Sequence, residues 1–148
     1  MRRAARAIIL KDDQLLVMHR NKFGQEYDIL IGGAVEIGET PTQAVLREIQ
    51  EEAGIEVSQP RLVFVEQAPE PYGVQYIFLC HYISGEAKLH PDSTETKIDS
   101  MGQNRYQPVW RKYGEFLELP FRSESLKRAI SNGIEHGFPE QAIDITNA

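Results

Sequence analysis

Gly32–Ile55, GGAVEIGETPTQAVLREIQEEAGI, sets a glycine pair, an isolated carboxylate and a carboxylate-dense segment in one continuous order. Thr40, Pro41 and Gln43 predict a helix start: threonine as N-cap, proline at the first helical position where its missing N–H costs nothing, and glutamine to close a capping box. Gly54 predicts the end, as the left-handed residue beyond the cap. Between these ends Val45, Leu46, Ile49 and Ala53 recur at helical spacing and predict a side buried against a sheet. Glu48, Glu51 and Glu52, related by i, i+3 and i+4, fall on an adjoining side.

Three carboxylates that close together repel one another, and each tends to take up a proton unless a positive charge compensates. A divalent cation supplies that charge. Hard oxygen donors suit Mg²⁺, or Mn²⁺ in its place, better than zinc, which prefers the imidazoles and thiolates that this segment lacks. Gly32 and Gly33 let the backbone approach a metal or phosphate, and the Gly32 carbonyl is a candidate ligand. A Glu-rich helix face taken alone reads as solvated surface; the glycines, Glu39 and Arg47 at fixed separations turn the reading toward a metal and phosphate site. Arg47 itself reads as an ion-pair partner of Glu39 or another glutamate of the segment, orienting the loop against the helix rather than touching substrate.

The spacing runs Gly33, five residues, Glu39, seven residues, Arg47-Glu48-Ile49, one residue, Glu51-Glu52, one residue, Gly54-Ile55. It resembles the box of the Nudix (MutT-like) hydrolases, G-x5-E-x7-R-E-U-x-E-E-x-G-U with U aliphatic, at every fixed position. Such a pattern arises by chance about once in 10^8 windows or rarer. The resemblance extends more weakly over residues 4–134, through the hairpin before the box and through NRYQPVW and YGEFLEL after it. One departure is Ile31, where many family members carry proline before the paired glycines.

The resemblance implies a mixed-sheet α/β (α+β) fold, a helix–sheet–helix sandwich, and Mg²⁺-dependent hydrolysis of a nucleoside diphosphate linked to another group X. Water would attack one phosphorus of the pyrophosphate and the other phosphate would leave. Glu48, Glu51 and Glu52 are the implied metal ligands, with the Gly32 carbonyl beside them. The catalytic base stays open among Glu48, Glu39 and Glu95. Arg20 is a candidate for a substrate phosphate, with Lys22 and Arg6 as weaker versions of the same idea. Pro71 lies sixteen residues past the box, as in relatives that act on ADP-ribose, and Tyr72 lies where relatives acting on dinucleoside polyphosphates tend to have tyrosine. Both also suit a turn before a strand, and Tyr72 could stack on a base. X is therefore left open among nucleoside triphosphate, ADP-ribose, nucleotide sugar and dinucleoside polyphosphate. A nucleotide-sensing module without turnover would be expected to lose a box glutamate, and none is lost; an interaction domain with an acidic helix would show no Mg²⁺ dependence.

Outward from the box, 148 residues are expected to form one domain spanning 1–148 with a core of its own. The net charge of −6 gives no general attraction to nucleic acid or anionic membrane, so a polyanionic substrate must arrive with its cation or meet a local basic cluster. The partner expected is a nucleotide-type small molecule, acted on by a monomer or homodimer. The lone Cys80 sits in the apolar run YIFLCHYI and reads as core, and no intrachain disulfide is possible. MRRAARAIIL is too short an apolar run for a signal peptide or membrane span, which points to a cytoplasmic protein.

Ala4–Leu10 and Gln14–Arg20 predict a hairpin about Lys11-Asp12-Asp13, and Glu26–Ile31 a third extended run. Arg61–Gln67 and Val74–Ile83 predict two strands around the Pro-Glu-Pro-Tyr-Gly turn. Glu86–Leu89 predicts a short strand before a long loop, Val109-Trp110 another strand, Lys112–Leu119 a helical turn, and Ser123–Ile134 a helix with Leu126, Ile130 and Ile134 inward. The tail after Gly137 is expected to be uncommitted.

Overall fold

The computed structural model describes residues 2–146. Among them the chain forms β1 (Arg3–Lys11), β2 (Gln14–Lys22), β3 (Gln25–Ile29), β4 (Ile31–Ala34), α1 (Pro41–Glu52), β5 (Glu56–Val57), β6 (Arg61–Ala68), β7 (Gly73–Ser84), α2 (Thr94–Asp99), β8 (Asn104–Lys112), α3 (Tyr113–Glu118), α4 (Glu124–His136) and β9 (Ile143–Asp144). Among the described residues no helix is long and apolar enough to cross a membrane.

The sheet is mixed. Its path is β3-β2-β1-β7-β6-β9, with β4 also paired to β1, β5 to β7 and β8 to β2. β1 and β7 run parallel from Arg3↔Val74 to Leu10↔His81, whereas the hairpin β1–β2 and the pair β6–β7 are antiparallel. Period-2 alternation along the central strands sends apolar side chains to both faces, so both faces need cover. Ala5, Ala7, Ile9, Leu16 and Met18 meet Val45 and Ile49 of α1 and Ala53 at its C-cap. Ile8, Leu15, Val17 and Ile77 meet Phe116 of α3 and Leu126 and Ile130 of α4. The result is the helix–sheet–helix sandwich, with the glycine pair carried on β4 against β1 and the glutamates carried on α1.

The capping box forms as read: Thr40 Oγ1 accepts from the Gln43 N–H at 3.1 Å, and Gln43 Oε1 accepts from the Thr40 N–H at 2.9 Å. Gly54 is left-handed at φ +64. Leu46 differs from the reading, being exposed at the margin of the apolar stripe. The third extended run is broken at Leu30 into β3 and β4, and Ile31 simply begins β4, fully buried. Cys80 is buried in the core, which pushes its thiol up to about 12.

Two further expectations are corrected. Glu86–Leu89 is not a strand: the Lys88 N–H donates to the Ala53 carbonyl at 2.9 Å and the His90 N–H to the Glu51 carbonyl at 2.8 Å. Those N–H groups cover the orphan carbonyls at the end of α1, a stronger claim on them than an unpaired edge strand offers. The tail is also committed as far as it is described. β9 pairs parallel with β6, Ile145 is buried, and Phe138 packs against Phe64 with ring centroids 6.0 Å apart. Phe138 lies over Gly133, where a Cβ would come within 2.3 Å of its ring. Positions 147 and 148 lie outside the described residues.

On the α4 side, His19 ties the strands to the segment that leads into α4. Its Nδ1 lies 2.7 Å from Asp28 Oδ1 and its Nε2 3.0 Å from Glu26 Oε1, while Arg111 Nε donates to Asp28 Oδ2 at 3.0 Å. The Asp28 carbonyl accepts from the Arg122 N–H at 3.1 Å. Burial lowers the imidazole pKa, but the hydrogen bonds to Asp28 and Glu26 outweigh it and the net direction is up. A raised folded pKa on a base adds stability that is fully present below the free value of about 6.5 and is lost as pH rises through the folded value. Urea unfolding is therefore expected to show stability declining above neutral pH, by no more than ~1 kcal/mol because Glu26 is exposed, and the slope to flatten in His19→Gln.

Candidate active site

The glycine pair and the helix glutamates meet because β4 pairs with β1 at Arg6↔Gly32 and Ala5↔Gly33, which lays the pair beneath α1. Gly32 adopts φ +151, and a Cβ there would sit 2.2 Å from the Ala5 carbonyl oxygen. At Gly33 a Cβ would sit 2.5 Å from Glu48 Oε1, so the missing side chain is what lets that carboxylate lie on the strand. Glu52 Oε1 accepts the Gly32 N–H at 2.7 Å. Glu48 and Glu52 are thus buried, at 7% and 4% exposure, and Glu51 is the most open of the three.

Arg47 sits among the acids. It donates from Nε to Glu39 Oε2 at 2.8 Å, from Nη2 to Glu39 Oε1 at 3.1 Å and to the Ala34 carbonyl at 3.0 Å. Nη1 reaches Glu48 Oε1 at 2.9 Å and Glu51 Oε2 at 3.3 Å. Glu39 also accepts the Glu36 N–H, and these bonds, Arg47 first, hold its carboxyl down at about 2. Arg47 is pushed above its usual range in return.

Glu48 and Glu52 shift the other way. Burial raises Glu48, against the pull of Arg47, with Glu51 and Glu95 adding to the rise. Burial raises Glu52 further, helped by the charge of Glu48 and opposed by the Gly32 N–H and Arg6. Among the described residues no three such side chains are gathered tightly enough to hold an ion, since the Arg47 guanidinium lies between Glu48 and Glu51. The chemistry of the donors nevertheless fits a divalent cation: all are carboxylate oxygens, two are buried beside one another, and both are disfavoured as anions without added positive charge.

A cleft of ≈ 490 Å³ is lined by all four substrate-contact candidates, Arg6, Arg20, Lys22 and Tyr72. Arg6 links the two regions. Its Nη1 donates to the Gly32 carbonyl at 3.2 Å and to the Leu30 carbonyl at 3.4 Å, and its Nε to Gln75 Oε1 at 3.3 Å. Burial lowers the Arg6 pKa, and Glu52 opposes the fall. Arg20 is held flat, its guanidinium carbon 3.7 Å from the Tyr106 ring centroid, with Nε donating to the Arg105 carbonyl at 3.3 Å and Nη2 to Asn104. Tyr72 stands half-exposed at the rim. Glu95, on α2, makes no hydrogen bond or ion pair among the described residues, yet its charge is felt by Glu48, Glu52 and Tyr106.

Sequence reasoning missed Arg2, Glu66, Arg122 and Ser123, which line the same cleft. With them the cleft supplies the local basic cluster that the overall charge of −6 conceals. The signals were faint. Glu66 is an acid in the inward phase of an apolar strand, and Arg122-Ser123 directly precede a capped helix; neither pattern has a fixed spacing to other residues.

Similarity to known proteins follows the same outline. The NAD-capped RNA hydrolase NudC of Escherichia coli O1:K1 is 36% identical over 126 residues, 85% of this chain but 45% of that protein. The chain thus spans about half the length of the curated relatives it matches. A MutT NUDIX hydrolase from Burkholderia pseudomallei superposes with a TM-score of 0.61 at 25% identity, over 77% of this chain and 84% of that one. A NUDIX hydrolase from Nitrosomonas europaea, 19% identical, shares the fold with a TM-score of 0.70 over 97% of this chain and 77% of its own. Residues 1–124 match the NUDIX domain, and with the box complete and its glutamates packed on the glycine pair, the chain belongs to the NUDIX domain family.

Proposed function

We propose that the protein hydrolyses a pyrophosphate bond in a nucleoside diphosphate linked to another group, with Mg²⁺ as cofactor and Mn²⁺ able to replace it. The observation that carries the reading is the contact of two buried, charge-disfavoured carboxylates, Glu48 and Glu52, with the backbone of Gly32-Gly33, whose Gly32 carbonyl accepts from Arg6 of an arginine-lined cleft. Glu48, Glu51 and Glu52 hold the cation, once Glu48 and Glu51 turn from Arg47. When bound it supplies positive charge against the pyrophosphate oxygens and lowers the pKa of the attacking water. The Gly32 carbonyl, already engaged by Arg6, is the weaker ligand candidate.

Arg20 and Arg6 bind phosphate oxygens, with Lys22 at the rim, and Tyr72 offers a ring at the nucleoside end. Arg20 is pre-positioned by Tyr106 and Asn104, so little side-chain freedom is lost when a phosphate docks. Arg47 and Glu39 act as one positioning unit that fixes the loop over α1. Glu39 is a poor base, because a carboxyl held at about 2 by Arg47 has little affinity for the water's proton. Glu95 is the better candidate: it is unpaired among the described residues, borne on α2, and close enough to act electrostatically on both buried glutamates. It takes the proton from water as the phosphorus–oxygen bond forms and the second phosphate departs.

For X, NAD and its capped-RNA form join the candidates through the name of the NudC relative, beside nucleoside triphosphates, ADP-ribose, nucleotide sugars and dinucleoside polyphosphates. A phosphate-release and product screen over that panel, with and without Mg²⁺, tests the reading. The expected result is Mg²⁺-dependent cleavage of at least one class, and in Glu95→Gln a fall in kcat of ~100-fold with KM little changed. A flat response from correctly folded protein would sink the catalytic reading and leave a nucleotide-sensing module.

A further inference from the structure

Glu66 lies on β6 in the inward phase of the strand and is 7% exposed. A carboxylate buried there carries a desolvation penalty unless it is fully paired. Among the described residues only Ser123 donates to it, from Oγ to Oε2 at 2.6 Å. Ser123 Oγ in turn accepts from the Leu126 N–H at 3.2 Å as the N-cap of α4, which fixes the direction of its own hydrogen toward Glu66. Oε1 has no donor among the described residues, and Glu66 lines the cleft. Although Arg2, Arg6, Arg20, Lys22 and Arg122 line the same cleft, none forms an ion pair with it. Nothing in the proposed hydrolysis uses this carboxylate.

Its surroundings suit a flat ring. The Arg122 guanidinium lies 4.1 Å from the Tyr27 ring centroid, forming a planar wall, and Leu30 and Ile77 supply apolar floor. Arg6 donates to the Gly32 carbonyl and also to Gln75, the cross-strand partner of Glu66, which links the glycine pair to the Glu66 part of the cleft.

We propose that Glu66 selects a guanine base, an inference that rests on the reading of this cleft as the nucleotide site. The carboxylate presents Oε1 with both lone pairs open and Oε2 with one left beside Ser123, so it can accept two adjacent N–H bonds. Guanine offers that pair on its Watson–Crick edge, at N1 and N2. Adenine and cytosine set a single amino donor beside a ring nitrogen whose lone pair would face a carboxylate oxygen, and uracil sets one N–H between two carbonyls. The ribose diol also offers two adjacent donors, but the planar wall and apolar floor match a base.

Calorimetric binding of GMP, dGMP, IMP and AMP to the full chain tests this without turnover, since none of them has a pyrophosphate bond. GMP and dGMP are expected to bind alike and ~10–100-fold more tightly than AMP, with IMP, which lacks the N2 amine, in between. In Glu66→Gln the amide oxygen still accepts from Ser123 while the amide N–H now complements adenine, so GMP should weaken and AMP strengthen. Equal binding of GMP and AMP by the unaltered protein overturns the inference, as does a loss with dGMP that matches the loss with AMP, which would assign the diol. Uniform weakening of all four in Glu66→Gln would leave the residue a purely structural role and also overturn it. If hydrolysis fails but this order holds, only the catalytic reading falls; if hydrolysis proceeds without base preference, only the guanine assignment falls.

Discussion

Joint replacement of Glu51 and Glu52 by glutamine is expected to lower pyrophosphate hydrolysis by on the order of 10^3-fold or more, the scale of several kcal/mol of lost charge stabilisation. The fold should survive. Glu52 accepts the Gly32 N–H at 2.7 Å, a bond that the amide oxygen of Glu52→Gln can still accept, and Glu51 is the most exposed of the three acids. A neutral amide in that buried position also removes the charge that burial disfavours. The measurement pairs a phosphate-release assay with thermal unfolding in the presence and absence of Mg²⁺. The unaltered protein should be stabilised by the cation and the double variant should not. Unchanged activity in a folded variant would sink the metal assignment.

Gly32→Ala is expected to damage the fold severely, at a cost of at least ~3 kcal/mol. The added Cβ would lie 2.2 Å from the Ala5 carbonyl oxygen and 2.7 Å from the Arg6 Cα. Both are backbone atoms of β1, so no flexible side chain can move aside, and β4 must peel away. The φ of +151 adds strain to any L side chain. Gly38→Ala is the control: it has φ +85 with nothing within 4 Å of the added Cβ, and should cost only the ~1–2 kcal/mol of the left-handed backbone. Urea unfolding of the two variants separates close approach from backbone strain. Equal destabilisation would overturn the account of why the first glycine of the pair is needed.

The helix of the box was legible because each of its signals is local. Thr40, Pro41, Gln43 and Gly54 act within a turn of the helix end they mark, and the apolar stripe and the three glutamates follow from the 3.6-residue period alone. The hairpin was legible for the same reason. Glu86–Leu89 failed because its strand propensity competed with the unsatisfied carbonyls of α1, which are distant in sequence and invisible to a local reading. The tail failed likewise: its order depends on the gap at Gly133 that receives Phe138, and on a free edge of β6 for Ile143–Asp144.

Within the site, the sequence by itself determined the family and which carboxylates one helix presents, since those follow from residue types at fixed spacing along one helix and one turn. The tertiary structure decided how the parts are used. It turned Glu39 and Arg47 into a paired positioning unit, left Glu95 unpaired near the buried glutamates, and gathered Arg6, Arg20, Lys22 and Tyr72 with Arg122 and Glu66 around one cleft. Those residues come from β1, β2, β6, the turn before β7 and the segment before α4, and only the pairing of strands far apart in the chain brings them within reach of one ligand. Local periodicity fixes which atoms a helix presents; the meeting of side chains across a sheet is fixed by strand register, which no single segment encodes.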